Sequence, residues 1–438
     1  MARPIGIDLF AGAGGLTLGF EQAGFDVVAA VEIDPVHAAV HKFNFPDCTV
    51  VPRSVTELSG AELRAAAGIG RRKADVVFGG APCQGFSLIG QRALDDPRNS
   101  LVRDFIRLVV ELNASYFVFE NVKGLTVGRH KAFLGEIIDE FKAAGYQVRE
   151  QWKVLNAAAY GVPQDRQRLI LLGAKKGLTL PEYPEPITRA SGKKGSSLPP
   201  GPTCLEALGD LPEAEDFATL MDSDDVRTKR WGTPSKYARE MRCLDNDAWG
   251  FGYPREWDPE VLTSSLRTTH TDISRRRFAE TEPGNVEPVS RFFRLPKDGV
   301  ANTLRAGTDS ARGAFTSPRP IHYAKARCIT VREMARLHGF PDWFRLHRTK
   351  WHGARQVGNA VPPPLARAVA AKVMEATGLR PSAPDRALEL GDVSLLHMDL
   401  TQASNYWSVA NPISRRNQKS GARKRKQEDI EAERLTGT

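Results

Sequence analysis

Short apolar runs alternate with helix-patterned stretches through the first 175 residues, and this alternation restricts the fold more than any other feature of the chain. Strand-like runs fall at 5–10, 27–32, 50–51, 75–78, 116–119 and 169–173. Between them the sequence predicts helices at 16–23, 35–43 and 60–67. Leu101, Phe105, Leu108 and Leu112 repeat at helical spacing, with Ser100 as the expected cap, and Phe133, Ile137 and Phe141 mark a further helix. Strands and helices alternating at this pace predict an α/β fold, a doubly wound and mostly parallel sheet. In such sheets ligands bind outside the carboxyl ends of the strands.

The chemistry-bearing residues collect at those ends. Gly12, Gly14 and Gly15 follow the first strand, where glycines let the backbone turn tightly and approach a ligand in front of helix N–H groups. The spacing is not GxGxxG, so the loop alone is weak evidence. Glu32 ends the second strand, placed to hold a ribose hydroxyl pair. Cys83 lies in Gly79-Gly80-Ala81-Pro82-Cys83-Gln84-Gly85-Phe86-Ser87, just past the fourth strand. A thiol shown on a Gly and Pro turn before a helix is placed for a lowered pKa and for nucleophilic attack. Cys48, Cys204, Cys243 and Cys328 lie in no comparable turn and are read as buried structural thiols. Glu120 is delivered at the end of the fifth strand, where an apolar wall can raise its pKa. Arg166 and Arg168 alternate before the late strand and share one face if extended. Taken singly, each has a plainer account: a solvated turn, an ion-paired Glu, two exposed arginines.

After residue 175 the rhythm stops. A stretch rich in Pro and Gly leads into an irregular region dense in arginine and aromatic residues, including Arg275, Arg276 and Arg277. Thr330-Val331-Arg332-Glu333 then matches a capping box, and another helix follows Pro364. From 381 the chain is polar, ends in a basic run, and reads as a tail disordered in part. The formal charge of +9 suits a polyanionic partner. Five scattered cysteines argue against a disulfide scaffold or zinc site and fit a reducing cytoplasm. No apolar run approaches the roughly 18 residues of a membrane span.

Six clusters together resemble the DNA (cytosine-5)-methyltransferase family: Asp8 through Gly15, Gly80 through Ser87, Glu120-Asn121-Val122, Tyr160 through Gln164 with Arg166 and Arg168, Arg332-Glu333 through Phe340-Pro341-Asp342, and Gln356 through Val361. The resemblance implies a Rossmann-like S-adenosylmethionine-dependent domain from 1–178 and 301–380, a smaller irregular target-recognition domain at 179–300, and the tail at 381–438. It places the C-terminal helix beside the first strand. It implies S-adenosylmethionine over Phe10, Ala11, Gly12, Gly14 and Gly15, with Glu32, Ile33 and Val55 beside its nucleoside and Pro82, Leu101, Asn359 and Val361 closing the pocket. Ser54 stands where the family usually has an adenine-binding Asp. Catalysis would fall to Cys83, Glu120, Arg166 and Arg168, with no metal. Double-stranded DNA would meet Gln84, Ser87, Gln91, Arg92, Arg98 and Arg275–Arg277. A monomer is expected, serving beside a cognate restriction endonuclease. A tRNA methyltransferase and an inactive DNA-binding homologue are the alternatives; the large Arg-rich region favours DNA over the first, and the intact Cys83, Glu120, Arg166 and Arg168 argue against the second.

Overall fold

In the computed structural model, which describes residues 3–82, 99–128, 130–189, 197–246, 250–307 and 319–411, eight strands form one sheet. Strands β1 (Ile5–Leu9), β2 (Asp26–Val31), β3 (Thr49–Val51), β4 (Val76–Gly79) and β5 (Tyr116–Val122) run parallel in the order β3-β2-β1-β4-β5. These strands are apolar on both faces, as a sheet covered on both sides requires. The order reverses between β1 and β4, so the loops leaving these two strands diverge and open a crevice at their carboxyl ends. The glycine loop and the Cys83 turn are the two loops in question.

The sheet then departs from the parallel pattern. β8 (Gln167–Lys175) lies antiparallel to β5, and β6 (Tyr146–Val148) and β7 (Lys153–Asn156) both pair with β8. Neither short strand was legible in the sequence. Because β8 is inverted, its amino end lies at the same sheet edge as the carboxyl end of β5.

One face of the sheet is covered by α3 (Gly60–Ala66), α4 (Ser100–Glu111) and α5 (His130–Ala143), whose Leu63, Phe105, Ile137 and Phe141 share a core with Ile7, Val77 and Phe117. The other carries α1 (Gly15–Gln22) and α11 (Pro363–Thr377), where Phe20, Leu365, Val369 and Val373 pack on Phe78 and Val118. The resemblance placed the C-terminal helix beside the first strand; it packs instead chiefly against α1. That contact is close enough that a Cβ on Gly19 would stand 2.3 Å from the Ala366 Cβ. Ser100 is not the cap of α4: it is the first helical residue, and Asn99 precedes it without a side-chain capping bond.

A third core joins distant parts of the chain. α2 (Pro35–Asn44) meets α6 (Cys204–Leu208), α7 (Lys236–Met241), α9 (Val331–His338) and α10 (Lys350–Asn359) through Phe43, Leu208, Met241, Met334 and Val357. The capping box at Thr330 and Glu333 forms as expected. Arg332, Glu333, Arg336 and Asp342 are buried, and they tie α9 to the irregular region. Arg336 bonds Asp342 and Asp210, Arg327 bridges Glu333 and Glu213, and Arg332 bonds Thr263. The irregular region itself holds α8 (Asp272–Glu280) and the short strands β9 (Val226–Arg227), β10 (Arg255–Glu256) and β11 (Val261–Leu262).

The tail expected from 381 is folded in its first thirty residues. β12 (Leu388–Glu389) pairs with β10, and α12 (Leu400–Trp407) packs on α2, where the Trp407 indole donates to Pro35 O at 3.1 Å. Leu388, Leu395 and Leu396 supply the buried apolar contacts that a glance at the polar composition hides. The basic run from 415 lies outside the described residues.

Candidate active site

The site starts at the β5–β8 edge. Glu120 pairs in register with Ile170 and Val122 with Arg168, so Glu120 and Arg168 are diagonal neighbours on one sheet face. Arg168 Nε lies 2.8 Å from Glu120 Oε1, with both side chains largely buried. Burial pushes the Glu120 pKa up, and the guanidinium charges of Arg168 and then Arg166 pull against it.

The turn leading to Cys83 passes directly over this carboxylate. A Cβ on Gly80 would stand 2.4 Å from Glu120 Oε2, so any side chain there would force the carboxylate to shift. Asn121 Nδ2 donates to Ala81 O at 2.8 Å, which pins the turn to the end of β5. Pro82 is exposed at the start of the turn. Cys83, Gln84, Ser87, Gln91, Arg92 and Arg98 lie outside the described residues. Beside the pair opens a cleft of about 380 Å³ lined by Val122, Lys123, Asp165, Gln167, Arg168 and Thr303. One terminal nitrogen of Arg168 bonds Gln167 O, which leaves the other, among the described residues, free for a ligand oxygen.

The cofactor-side residues gather on the far side of the crevice. Phe10 closes β1 with φ +66°, a left-handed conformation rare for an aromatic residue and of a kind that clusters at ligand sites. Ala11 N donates to Val31 O, and Glu32 accepts from Gly12 N and Asp34 N, each at 2.8 Å. Gly12 has open space where a side chain would be, whereas a Cβ on Gly15 would stand 2.4 Å from Val361 O. Ile33, in the turn between β2 and α2, is 63 % exposed, leaving an apolar surface for a flat ring to cover. An open glycine turn, a strand-end carboxylate and an uncovered Ile side chain fit S-adenosylmethionine. Leu101 is half-buried and Asn359 exposed. Val55 is buried in the core, and its carbonyl accepts from Arg107, so only its backbone N–H is left for a nucleoside. Ser54 caps the 3-10 turn Val55–Glu57 by accepting from Thr56 N.

Two of the sequence expectations change. Arg166 does not face the cleft: it is 1 % exposed and donates to the carbonyls of Leu304, Gly358 and Ala360. Alternation along a strand put Arg166 and Arg168 on one face, but Arg166 precedes β8, and its side chain turns into the protein. Of the three arginines on α8, Arg275 bonds Glu215 and Arg277 faces Glu287, so only Arg276 stands exposed. Cys48, Cys204, Cys243 and Cys328 are all buried, as expected. Burial pushes the Cys204 thiol up to about 12 and that of Cys328 to about 11.

Three buried polar groups escaped the sequence reading. Asp8 accepts from Thr17 Oγ1 at 2.7 Å beneath the glycine loop, and burial raises its pKa to about 8. Its signal was a carboxylate inside an otherwise apolar strand. His41 donates from Nδ1 to Gly12 O at 3.2 Å, and burial lowers it to about 4. His338 is fully buried between Gln164 and Ala360. Among the described residues no cluster of His, Cys, Asp or Glu could hold a metal, and no helix is long and apolar enough to cross a membrane.

The model of the C-5 cytosine-specific DNA methylase family matches residues 6–375. The chain is 58 % identical over 413 residues, 94 % of each protein, to the Type II methyltransferase M.XorII of Xanthomonas oryzae pv. oryzae. It is 35 % identical to M1.HphI of Haemophilus parahaemolyticus, over 84 % of this chain and 86 % of that one. Among solved structures, a DNA modification methyltransferase encoded in an E. coli prophage superposes with a TM-score of 0.69 at 31 % identity, covering 86 % of this chain and all of the other.

Proposed function

The chain belongs to the C-5 cytosine-specific DNA methylase family, and from that premise we propose that it methylates a flipped-out cytosine through a covalent bond to Cys83. It is a DNA (cytosine-5-)-methyltransferase of the Type II restriction–modification kind. The observation that carries the finer reading is the Glu120–Arg168 pair, set beneath the Gly80-Ala81-Pro82 turn that leads to Cys83.

Cytosine C5 is a poor nucleophile. Addition of the Cys83 thiolate to C6 forms an S–C6 bond and moves the ring electrons toward C5 and N3. Glu120 holds the proton at N3, and the free terminal nitrogen of Arg168 meets the charge gathering at O2. The glycine loop would hold S-adenosylmethionine with Glu32 on its ribose, and its electrophilic methyl sulfonium would give the methyl group to C5, breaking the S–CH3 bond and leaving S-adenosylhomocysteine. Loss of the C5 proton to a base then restores the ring and expels Cys83. The reacting carbon is hidden inside duplex DNA, so the base must leave the stack to reach the cleft beside Arg168.

The Arg-rich region at 179–300 is the segment we assign to target recognition, with Arg276 among its exposed cations. The likeness to Type II methyltransferases supports, as part of this proposal, a cognate endonuclease reading the same DNA site. Transfer of labelled methyl from S-adenosylmethionine to unmethylated plasmid, followed by bisulfite sequencing, tests the whole reading. Protection of cytosines within one short recurring sequence is expected. Transfer to tRNA alone, or to neither nucleic acid, would overturn it.

A further inference from the structure

Gln164 and Arg166 lie four and two residues ahead of Arg168, on the segment that delivers Arg168 to the cleft. Both turn inward: Arg166 ends on the chain that walls the cofactor side, and Gln164 reaches it through His338. Arg166 donates through one terminal nitrogen to Leu304 O at 2.9 Å and through the other to Gly358 O and Ala360 O, each at 2.8 Å. Gln164 Oε1 accepts from Leu304 N at 3.1 Å, which fixes the amide so that its nitrogen faces Leu337 O at 3.2 Å and His338 Nδ1 at 2.9 Å. An amide nitrogen only donates, so Nδ1 is the acceptor and the imidazole proton sits on Nε2. That proton points at Ala360 O, 3.0 Å away. Burial, reinforced by the charge of Arg166, holds the His338 pKa well below the usual histidine range, so the ring stays neutral in this tautomer.

The next residue in the braced chain is Val361, whose carbonyl stands against Gly15 at a distance that excludes any side chain there. Arg166 is buried and held by three carbonyls, with no carboxylate in hydrogen-bond contact among the described residues. An apolar residue would fill that space at less desolvation cost, which argues that its task is placement and not cohesion.

We propose that Gln164, Arg166 and His338 are positioning residues that set the Asn359–Ala360–Val361 wall of the methyl-donor pocket from the segment that also places Arg168. One short stretch of chain thus registers the cofactor wall against the base-side arginine. This inference rests on the cofactor assignment above, and it replaces the direct catalytic role expected for Arg166.

The experiment is calorimetric titration of the full chain with S-adenosylmethionine in the absence of DNA, alongside the Kd for unmethylated duplex DNA in the absence of cofactor. Wild-type protein must bind the cofactor; failure there would sink the functional reading and leave the brace out of the question. His338→Leu removes a donor and strands two buried partners, for which about tenfold weaker cofactor binding is expected. DNA affinity should not change. His338→Gln, whose amide can again donate toward Ala360 O, should recover to within about threefold. A merely structural role would lower the active fraction or weaken both ligands alike, and either result would overturn the proposal. So would a folded His338→Leu variant with unaltered cofactor Kd. Should His338→Leu fail to fold, Arg166→Lys gives the same decision: it keeps the charge but cannot reach three carbonyls, and unchanged cofactor affinity would refute the brace.

Discussion

Glu120 Oε1 and Arg168 Nε meet at 2.8 Å although forty-eight positions separate them, because β8 runs antiparallel to β5 and brings its first residues to the edge where β5 ends. A parallel β8 would have sent Arg168 to the opposite edge. The pair brings a carboxyl and a guanidinium into contact beside one cleft, which Arg168 lines.

Glu120→Gln keeps the shape and a hydrogen bond but removes the titratable proton. Single-turnover methyl transfer should slow by about 10²–10⁴-fold with duplex affinity preserved. Turnover within threefold of wild type would mean that the N3 proton is managed elsewhere.

Arg168→Ala should slow transfer by about 10²–10³-fold. It also leaves Glu120 buried without its main counter-charge, so the Glu120 pKa rises further. The limb of the pH–rate profile that reports Glu120 ionisation should therefore move to higher pH. An unmoved limb would exclude Glu120 as its source.

Gly80→Ala tests the packing of the turn on the acid. Its methyl group would overlap Glu120 Oε2, so the carboxylate has to shift, and the shift strains its 2.8 Å contact with Arg168 through Oε1. We expect at least tenfold lower kcat, order-of-magnitude by the energetics of one charge-assisted hydrogen bond, with Tm nearly constant. Full activity would show that the turn does not constrain Glu120.

Asp8→Asn separates burial from charge. The Asp8 pKa is raised to about 8 in the folded state, so between pH 4 and 8 the folded protein keeps a proton that the unfolded chain has lost. Stability therefore falls as pH rises across that window, by up to about 1.4 kcal/mol per pH unit. The Asn variant should match wild type near pH 4 and exceed it at pH 8 in urea melts. Parallel curves would refute a buried neutral Asp8.

His41→Asn predicts the opposite slope. With its pKa lowered to about 4 beneath Gly12, His41 stays neutral in the fold while the unfolded chain takes up a proton below about pH 6.5. Wild type should lose about 1.4 kcal/mol per pH unit relative to the variant between pH 6.5 and 4. A pH-independent difference would place His41 in contact with water.

The parallel half of the sheet and the sites at its edge could be read from residue order, because apolar runs and helical periods are local and strand ends are where such folds hold ligands. The placement of Glu32, Glu120 and the glycine loop at strand ends was legible for that reason. What the sequence by itself determined was the chemistry available at each strand end. Only the tertiary structure decided which side chains use it. Arg166 and Arg168 look alike in a one-dimensional pattern, yet one is spent on the carbonyls of Leu304, Gly358 and Ala360 and the other faces the cleft. Arg275 and Arg277 read as free cations until Glu215 and Glu287 arrive from elsewhere in the chain. The segment after 381 reads as a tail until α2 offers a surface to pack on. In each case the deciding partner lies ten to several hundred residues away. Burial removes the water that would otherwise satisfy a charge, so the fold must supply the partner, and the local sequence carries no record of which one it will be.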